Sequence, residues 1–177
     1  MNIVLIGYRC SGKTTVARIL SRDMAWDFID MDSLIEKGTM RSIRSYVLQN
    51  GWEHFRTLEK GVAVGLADRD KLVIATGGGA VMDSDNVRNL KRHGWIVWLK
   101  TSVSIIKDRM KCENTSDESR PALSGADPLE EIERILNERK GFYERASDYV
   151  VDTDERGPHE VARAIMRALP ETLKPIG

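Results

Sequence analysis

The sequence predicts an α/β fold: a three-layer α/β/α sandwich on a five-stranded parallel sheet. Three observations carry this. Short runs that are apolar throughout alternate with stretches of helical period, the pattern of strands buried on both faces. The first such run is followed by a glycine-rich turn and a helix, the strand–loop–helix setting of a phosphate-binding loop. At 177 residues the chain is the size of one domain with a single substantial core.

In chain order, Asn2–Ile6 (NIVLI) reads as a buried strand and about Gly12–Met24 as a helix. Trp26–Asp30 is a short second strand. Ser33–Lys37, Ser42–Gln49 and Trp52–Ala67 read as helical, with a break at Gly51 between the last two. Leu72–Thr76 is a third strand that ends in Gly77-Gly78-Gly79. A helix over Asp85–Arg92 precedes the fourth strand, Trp95–Leu99, and Val103–Lys111 is again helical. The stretch 112–124 (CENTSDESRPALS) is polar, holds a proline and has no apolar period, so a mobile loop is expected. Asp127-Pro128-Leu129-Glu130 places Asp at N-cap, Pro at N1 and Glu at N3 of a long helix that runs to about Glu144. Tyr149–Val151 is the last strand and Pro158–Leu169 the last helix, with a frayed tail from Pro170. One domain over 1–170 follows. Residues 32–61 form a helical subdomain over the sheet's C-terminal edge, 112–124 a lid and 171–177 a tail.

Composition weighs against several function classes, without excluding a local basic site. Lys plus Arg (27) equals Asp plus Glu (27), so the basic excess of a nucleic-acid or anionic-membrane binder is missing. No apolar run approaches the roughly 20 residues of a spanning helix, and MNIVLIGYR lacks the features of a signal peptide. Two cysteines, Cys10 and Cys112, make neither a disulfide framework nor a metal-ligand spacing. A cytoplasmic monomer that binds neither nucleic acid nor membrane is the expectation.

The chemistry begins at GYRCSGKT, residues 7–14, which matches G-x-x-x-x-G-K-[ST]. Glycines let successive N–H groups converge on phosphate oxygens, and the following helix N-terminus adds positive potential. Lys13 is expected to reach the β- and γ-phosphates, and Thr14 to ligate Mg²⁺. Asp30 and Asp32 stand two apart at a strand end, so both carboxylates are expected on one side. One suits the magnesium shell and the other the proton of an attacking hydroxyl. Asp32 has a second reading, as the cap of the helix that follows.

Two arginines sit on or beside apolar helical stripes. Trp52, Phe55, Glu59, Val62 and Leu66 share a face, and Arg56 neighbours Glu59 at i,i+3. The pair is either a surface ion pair or a carboxylate fixing an arginine aimed at an anion. Arg139 lies on the stripe of Leu136 and Tyr143, where a charge needs a partner: a ligand carboxylate or a buried protein one. Gly77, Gly78 and Gly79 allow close approach of a ligand to backbone, and Arg120, in the loop, can neutralise charge on a moving phosphoryl group. His54, His93 and His159 are scattered and carry no assigned chemistry.

Taken together, these segments resemble shikimate kinases. The similarity runs from Asn2 to about Leu169 through GYRCSGKT, the D-x-D at Asp30/Asp32, GWEHFRTLE, ATGGGAV, RPAL, ERKGFYERA and VVDTDERGPHEVA, in that order. The P-loop alone is widespread; the D-x-D, F-R-x-x-E and G-G-G set in this order is far more specific. The resemblance implies a nucleoside-monophosphate-kinase-like P-loop NTPase with strand order 2-3-1-4-5. It implies transfer of phosphate from ATP to the 3-hydroxyl of shikimate, with Mg²⁺, in aromatic amino-acid biosynthesis. By the same resemblance Cys10, Ser11, Gly12, Lys13, Thr14 and Thr15 wrap the nucleotide phosphates. Asp32, Arg56, the Gly77–Gly79 turn and Arg139 face shikimate. Arg120 reaches ATP from the lid, Arg109 and Arg156 lie on the adenine side, and Asp30 serves the magnesium shell.

The chain departs from the family at Cys10, where glycine is usual; a left-handed backbone there would cost about 1 kcal/mol. Two alternatives stay open at this point. A gluconate-type sugar-acid kinase shares the P-loop and sheet but is not expected to carry the full motif set. A nucleotide-binding regulatory module needs no acceptor; the N/T-K-x-D motif of GTPase switches is missing, and the only strand-end carboxylates are Asp30 and Asp32.

Overall fold

The structure is a computed structural model that describes residues 1–112 and 128–173. The elements run β1 (Asn2–Ile6), α1 (Lys13–Met24), β2 (Asp27–Asp30), α2 (Met31–Thr39), α3 (Ile43–Leu66), β3 (Leu72–Ala75), α4 (Ser84–Lys91), β4 (Gly94–Lys100), α5 (Val103–Cys112), α6 (Pro128–Ala146), β5 (Tyr149–Asp152) and α7 (Pro158–Arg167). The five strands form one parallel sheet in the order β2-β3-β1-β4-β5, the predicted order. No helix among the described residues is long and apolar enough to cross a membrane.

Strand alternation explains the layers. Ile3 and Leu5 of β1 point to one face and pack with Val16 and Leu20 of α1 and Val161 and Ile165 of α7. Val4 and Ile6 point to the other and pack with Ala63 and Leu66 of α3 and Tyr143 of α6. All these residues are buried, so β1 is apolar from Ile3 to Ile6 because both of its faces are covered. A separate small cluster of Ile35, Ile43, Val47 and Phe55 joins α2 to the first half of α3.

The expected break at Gly51 is present: Gly51 has φ 84 and ψ 164, which a side chain resists, and this kink divides α3 into two helical halves. Two details differ from the sequence expectation. The chain turns helical at Met31, so β2 contributes Asp30 but not Asp32 to its end. Pro170 does not begin a frayed tail: Glu171–Leu173 forms a 3₁₀ turn, and Leu173, only 2% exposed, completes the core beneath α1 and α7. The expected loop over 112–124 and the cap at Asp127 lie outside the described residues, Cys112 excepted.

Candidate active site

Parallel strands place all their C-terminal ends on one edge, and three connections leave that edge side by side. They follow β1, β2 and β3. The loop after β1 is the P-loop. Gly7 (φ 144) and Gly12 (φ 92) take up the positive φ values that curl it around toward the N-terminus of α1. A Cβ on Gly7 would meet the Leu99 carbonyl oxygen at 2.8 Å, so β4 also excludes a side chain there. The first turn of α1 carries no acidic residue, which leaves its positive end free for an anion. Lys13 is buried, and its Nζ donates to the carbonyls of Gly7 (3.0 Å) and Tyr8 (2.7 Å). The ammonium thus lies inside the curl of the loop.

Cys10 adopts φ 59, the left-handed region. The departure from glycine therefore carries the backbone cost foreseen for it. Cys10→Gly is expected to raise stability by up to about 1 kcal/mol in urea denaturation, since relief of left-handed strain outweighs the added freedom of the unfolded chain. An unchanged or lowered midpoint would show that contacts of the Cys10 side chain offset the strain.

Asp30 closes β2 with both oxygens engaged. Its Oδ1 accepts from the Ser33 amide (3.2 Å) and caps α2, and its Oδ2 accepts from the Thr14 hydroxyl (2.9 Å). The cap is thus Asp30, not Asp32. Asp32 stands half-buried in the first turn of α2, where the helix N-terminus favours its negative charge. The strand-spacing argument for the pair fails for this reason, although the two carboxylates, two residues apart, both stand at the start of α2.

The turn after β3 gathers the arginines. Thr76 ties it to β1 by donating to the Leu5 carbonyl from both its amide and its hydroxyl, each at 3.1 Å. Arg139 of α6 is 8% exposed and donates from Nη1 to the Gly78 carbonyl (3.2 Å). Tyr143, one turn on, donates its hydroxyl to the same oxygen (2.5 Å). Among the described residues no carboxylate forms an ion pair with Arg139, which removes the buried protein carboxylate as its partner there. Arg56 of α3 is held from behind by fully buried Glu59, Nη1 to Oε2 at 2.6 Å. Its guanidinium lies 5.5 Å from the ring centroids of both Trp52 and Phe55. It also covers Gly79 so closely that a Cβ there would collide with it. Gly77 accepts from Ala80 at 3.1 Å and starts the short turn that leads away.

On the far side of the P-loop, Cys10, Ser11, Gly12, Thr15, Arg109, Thr153, Arg156 and Pro158 are among the residues lining a cleft of about 220 Å³. Arg109 braces it, donating to the carbonyls of Cys10 (3.2 Å) and Thr153 (3.1 Å). The structure thus brings together Lys13, Thr14, Asp30 and Asp32, then Arg56, Gly78, Gly79 and Arg139, and on the cleft side Arg109 and Arg156. Arg120 lies outside the described residues. Sequence reasoning missed Tyr8, Arg9 and the Tyr143 hydroxyl: the first two occupy free positions of the P-loop pattern, and Tyr143 reads as core.

A two-sided site follows: an anion cradle with an oxygen pair beside it, and an acceptor side with two guanidinium groups on a glycine turn. Comparison with known proteins agrees with this layout. The shikimate kinase family model matches residues 9–170. The shikimate kinase of Syntrophus aciditrophicus is 40% identical over 174 residues, covering 94% of this chain and 89% of the relative. A shikimate kinase from Acinetobacter baumannii, solved in complex with shikimate, superimposes with TM-score 0.86 at 33% identity over 94% of this chain and 90% of that one. A gluconokinase from Sinorhizobium meliloti gives TM-score 0.56 at 18% identity over 92% and 87%, a likeness of fold alone.

Proposed function

The chain belongs to the shikimate kinase family, and we propose how its residues divide the transfer of the γ-phosphoryl group of ATP to the 3-hydroxyl of shikimate. It is a kinase: the products are shikimate 3-phosphate and ADP, in aromatic amino-acid biosynthesis. The observation that carries the acceptor is the meeting of Arg56 and Arg139 at Gly78 and Gly79, beside the P-loop. A carboxylate-bearing acceptor seated there neutralises a charge that no described carboxylate pairs with.

In this reading residues 10–15 receive the ATP phosphates, and Arg109 and Arg156 line the adenine cleft. Thr14 would hold Mg²⁺ directly and Asp30 through water: their oxygens lie 2.9 Å apart beside the cradle, and hard oxygen donors suit that ion. Bound there, the ion supplies charge neutralisation of the phosphate oxygens. Asp32 accepts the proton of the attacking hydroxyl, and Lys13 follows the transferring group. Arg120 joins the phosphates from 112–124, which we propose closes as a lid over both ligands. Residues 32–61 supply the acceptor-binding subdomain. The enzyme so proposed is a cytoplasmic monomer, and every residue named comes from one chain.

ADP release measured with ATP and Mg²⁺, with and without shikimate and with gluconate as a control, tests the whole. Shikimate-dependent release is expected; release with gluconate alone would refute the reading. Within it, Asp32→Asn is expected to lower kcat with shikimate far more than it weakens ATP binding. If its main effect were instead a changed Mg²⁺ requirement, the roles of Asp30 and Asp32 would be exchanged.

A further inference from the structure

The P-loop binds phosphate through backbone amides, so the side chain of Arg9 is not needed for that task. Its position faces the acceptor side. The Cα of Gly78 packs on the loop: a Cβ there would lie 3.4 Å from the Arg9 amide nitrogen, 3.5 Å from the Gly7 carbonyl oxygen and 3.7 Å from Arg139 Nη1. The P-loop, the glycine turn and Arg139 thus meet at one point. Tyr8, 4% exposed, is shared by two charges: the guanidinium carbon of Arg9 lies 5.8 Å from its ring centroid and that of Arg139 lies 6.0 Å away. Burial pushes the Tyr8 phenol's pKa up while the two arginines oppose this, so the phenol stays neutral and offers neither cation an anionic partner. The Arg9 guanidinium hydrogen-bonds the Tyr8 side chain, but its Nε is buried with no hydrogen-bond acceptor among the described residues, and none of their carboxylates forms an ion pair with it.

A buried guanidinium nitrogen without an acceptor calls for an anion. The ATP phosphates already have the loop amides and Lys13; the anion left on this side is the carboxylate of the acceptor. We propose that Arg9 is a third guanidinium of the acceptor site, donating to the shikimate carboxylate beside Arg139, so that the P-loop reads the acceptor as well as the nucleotide. This rests on the reading of the chain as a shikimate kinase given above.

The test compares wild type with Arg9→Met, which keeps the stem against Tyr8, and Arg9→Lys, which keeps the charge. Saturable wild-type turnover of shikimate comes first; its absence defeats the underlying reading, and this inference with it. With that turnover in hand, Arg9→Met is expected to raise KM for shikimate about 10- to 100-fold while kcat and the Kd for ADP hold. Arg9→Lys should recover most of the loss. With shikimate methyl ester, which lacks the charge, wild type and Arg9→Met should have the same KM. An unchanged KM for shikimate overturns the inference alone. So does a parallel rise in the Kd for ADP, which marks a distorted loop, or a fall in kcat alone, which marks an action on the phosphoryl group. Should Arg9→Met not fold, Arg9→Gln carries the same comparison.

Discussion

Lys13→Ala is expected to lower kcat by about 10²- to 10³-fold, the usual cost of removing one preorganised donor from a developing charge. The side chain has two roles that the measurement must separate. Its buried Nζ donates to the carbonyls of Gly7 and Tyr8 and holds the loop in its curl. Hydrogen bonds from a charged donor stabilise by roughly 1.5–3 kcal/mol, so the variant should also melt earlier. Lys13→Met keeps the aliphatic stem and limits that second effect. The expected outcome is a folded Lys13→Met protein, by circular dichroism, with nearly all turnover lost. Near wild-type kcat in a folded variant would falsify the P-loop assignment.

Residues whose function is bound to backbone geometry were legible beforehand, and those placed by tertiary contacts were not. The P-loop, the five strands and the break at Gly51 follow from glycine spacing and apolar runs, because local sterics decide them. Glu59 on an apolar stripe proves fully buried against Arg56, as helical periodicity requires. Asp30 and Asp32 show the limit: alternation holds only while the chain stays extended. Asp30 accepts the Ser33 amide, the helix starts two residues earlier than the pattern suggests, and Asp32 leaves the strand face. The bond goes to a backbone amide, which any non-proline residue offers at that position, so no residue type three places on marks this cap. For Tyr8, Arg9 and Tyr143 no local signal exists. Their roles depend on α6 crossing the turn after β3, a contact between residues 61 or more apart in the chain. Leu173 is similar, since only the packed α1–α7 face makes a place for it.

Arg139→Ala or Arg56→Ala is expected to cut kcat/KM for shikimate by about 30-fold to a few thousand-fold while barely changing the Kd for ATP. Losing one partner of a desolvated charge pair costs roughly 2–5 kcal/mol, and about 1.4 kcal/mol is one decade. The geometry says why the loss falls on the acceptor. Arg139 spends one donor on a neutral carbonyl, Gly78, and its charge meets no described carboxylate. Arg56 has Glu59 behind it, which fixes its aim, and stacking on Trp52 and Phe55 limits its freedom to retreat. The two substitutions therefore need not be equal: Arg56→Ala also removes the cation paired with the buried Glu59, so its variant should be the less stable of the two. Shikimate methyl ester supplies the complementary deletion and should be a comparably poor substrate for the unmutated enzyme. The ester and Arg139→Ala should not compound fully, because both remove the same contact. An ester phosphorylated as well as the acid, or two losses that simply multiply, would show that Arg139 serves the packing of α6 on the glycine turn and not the carboxylate.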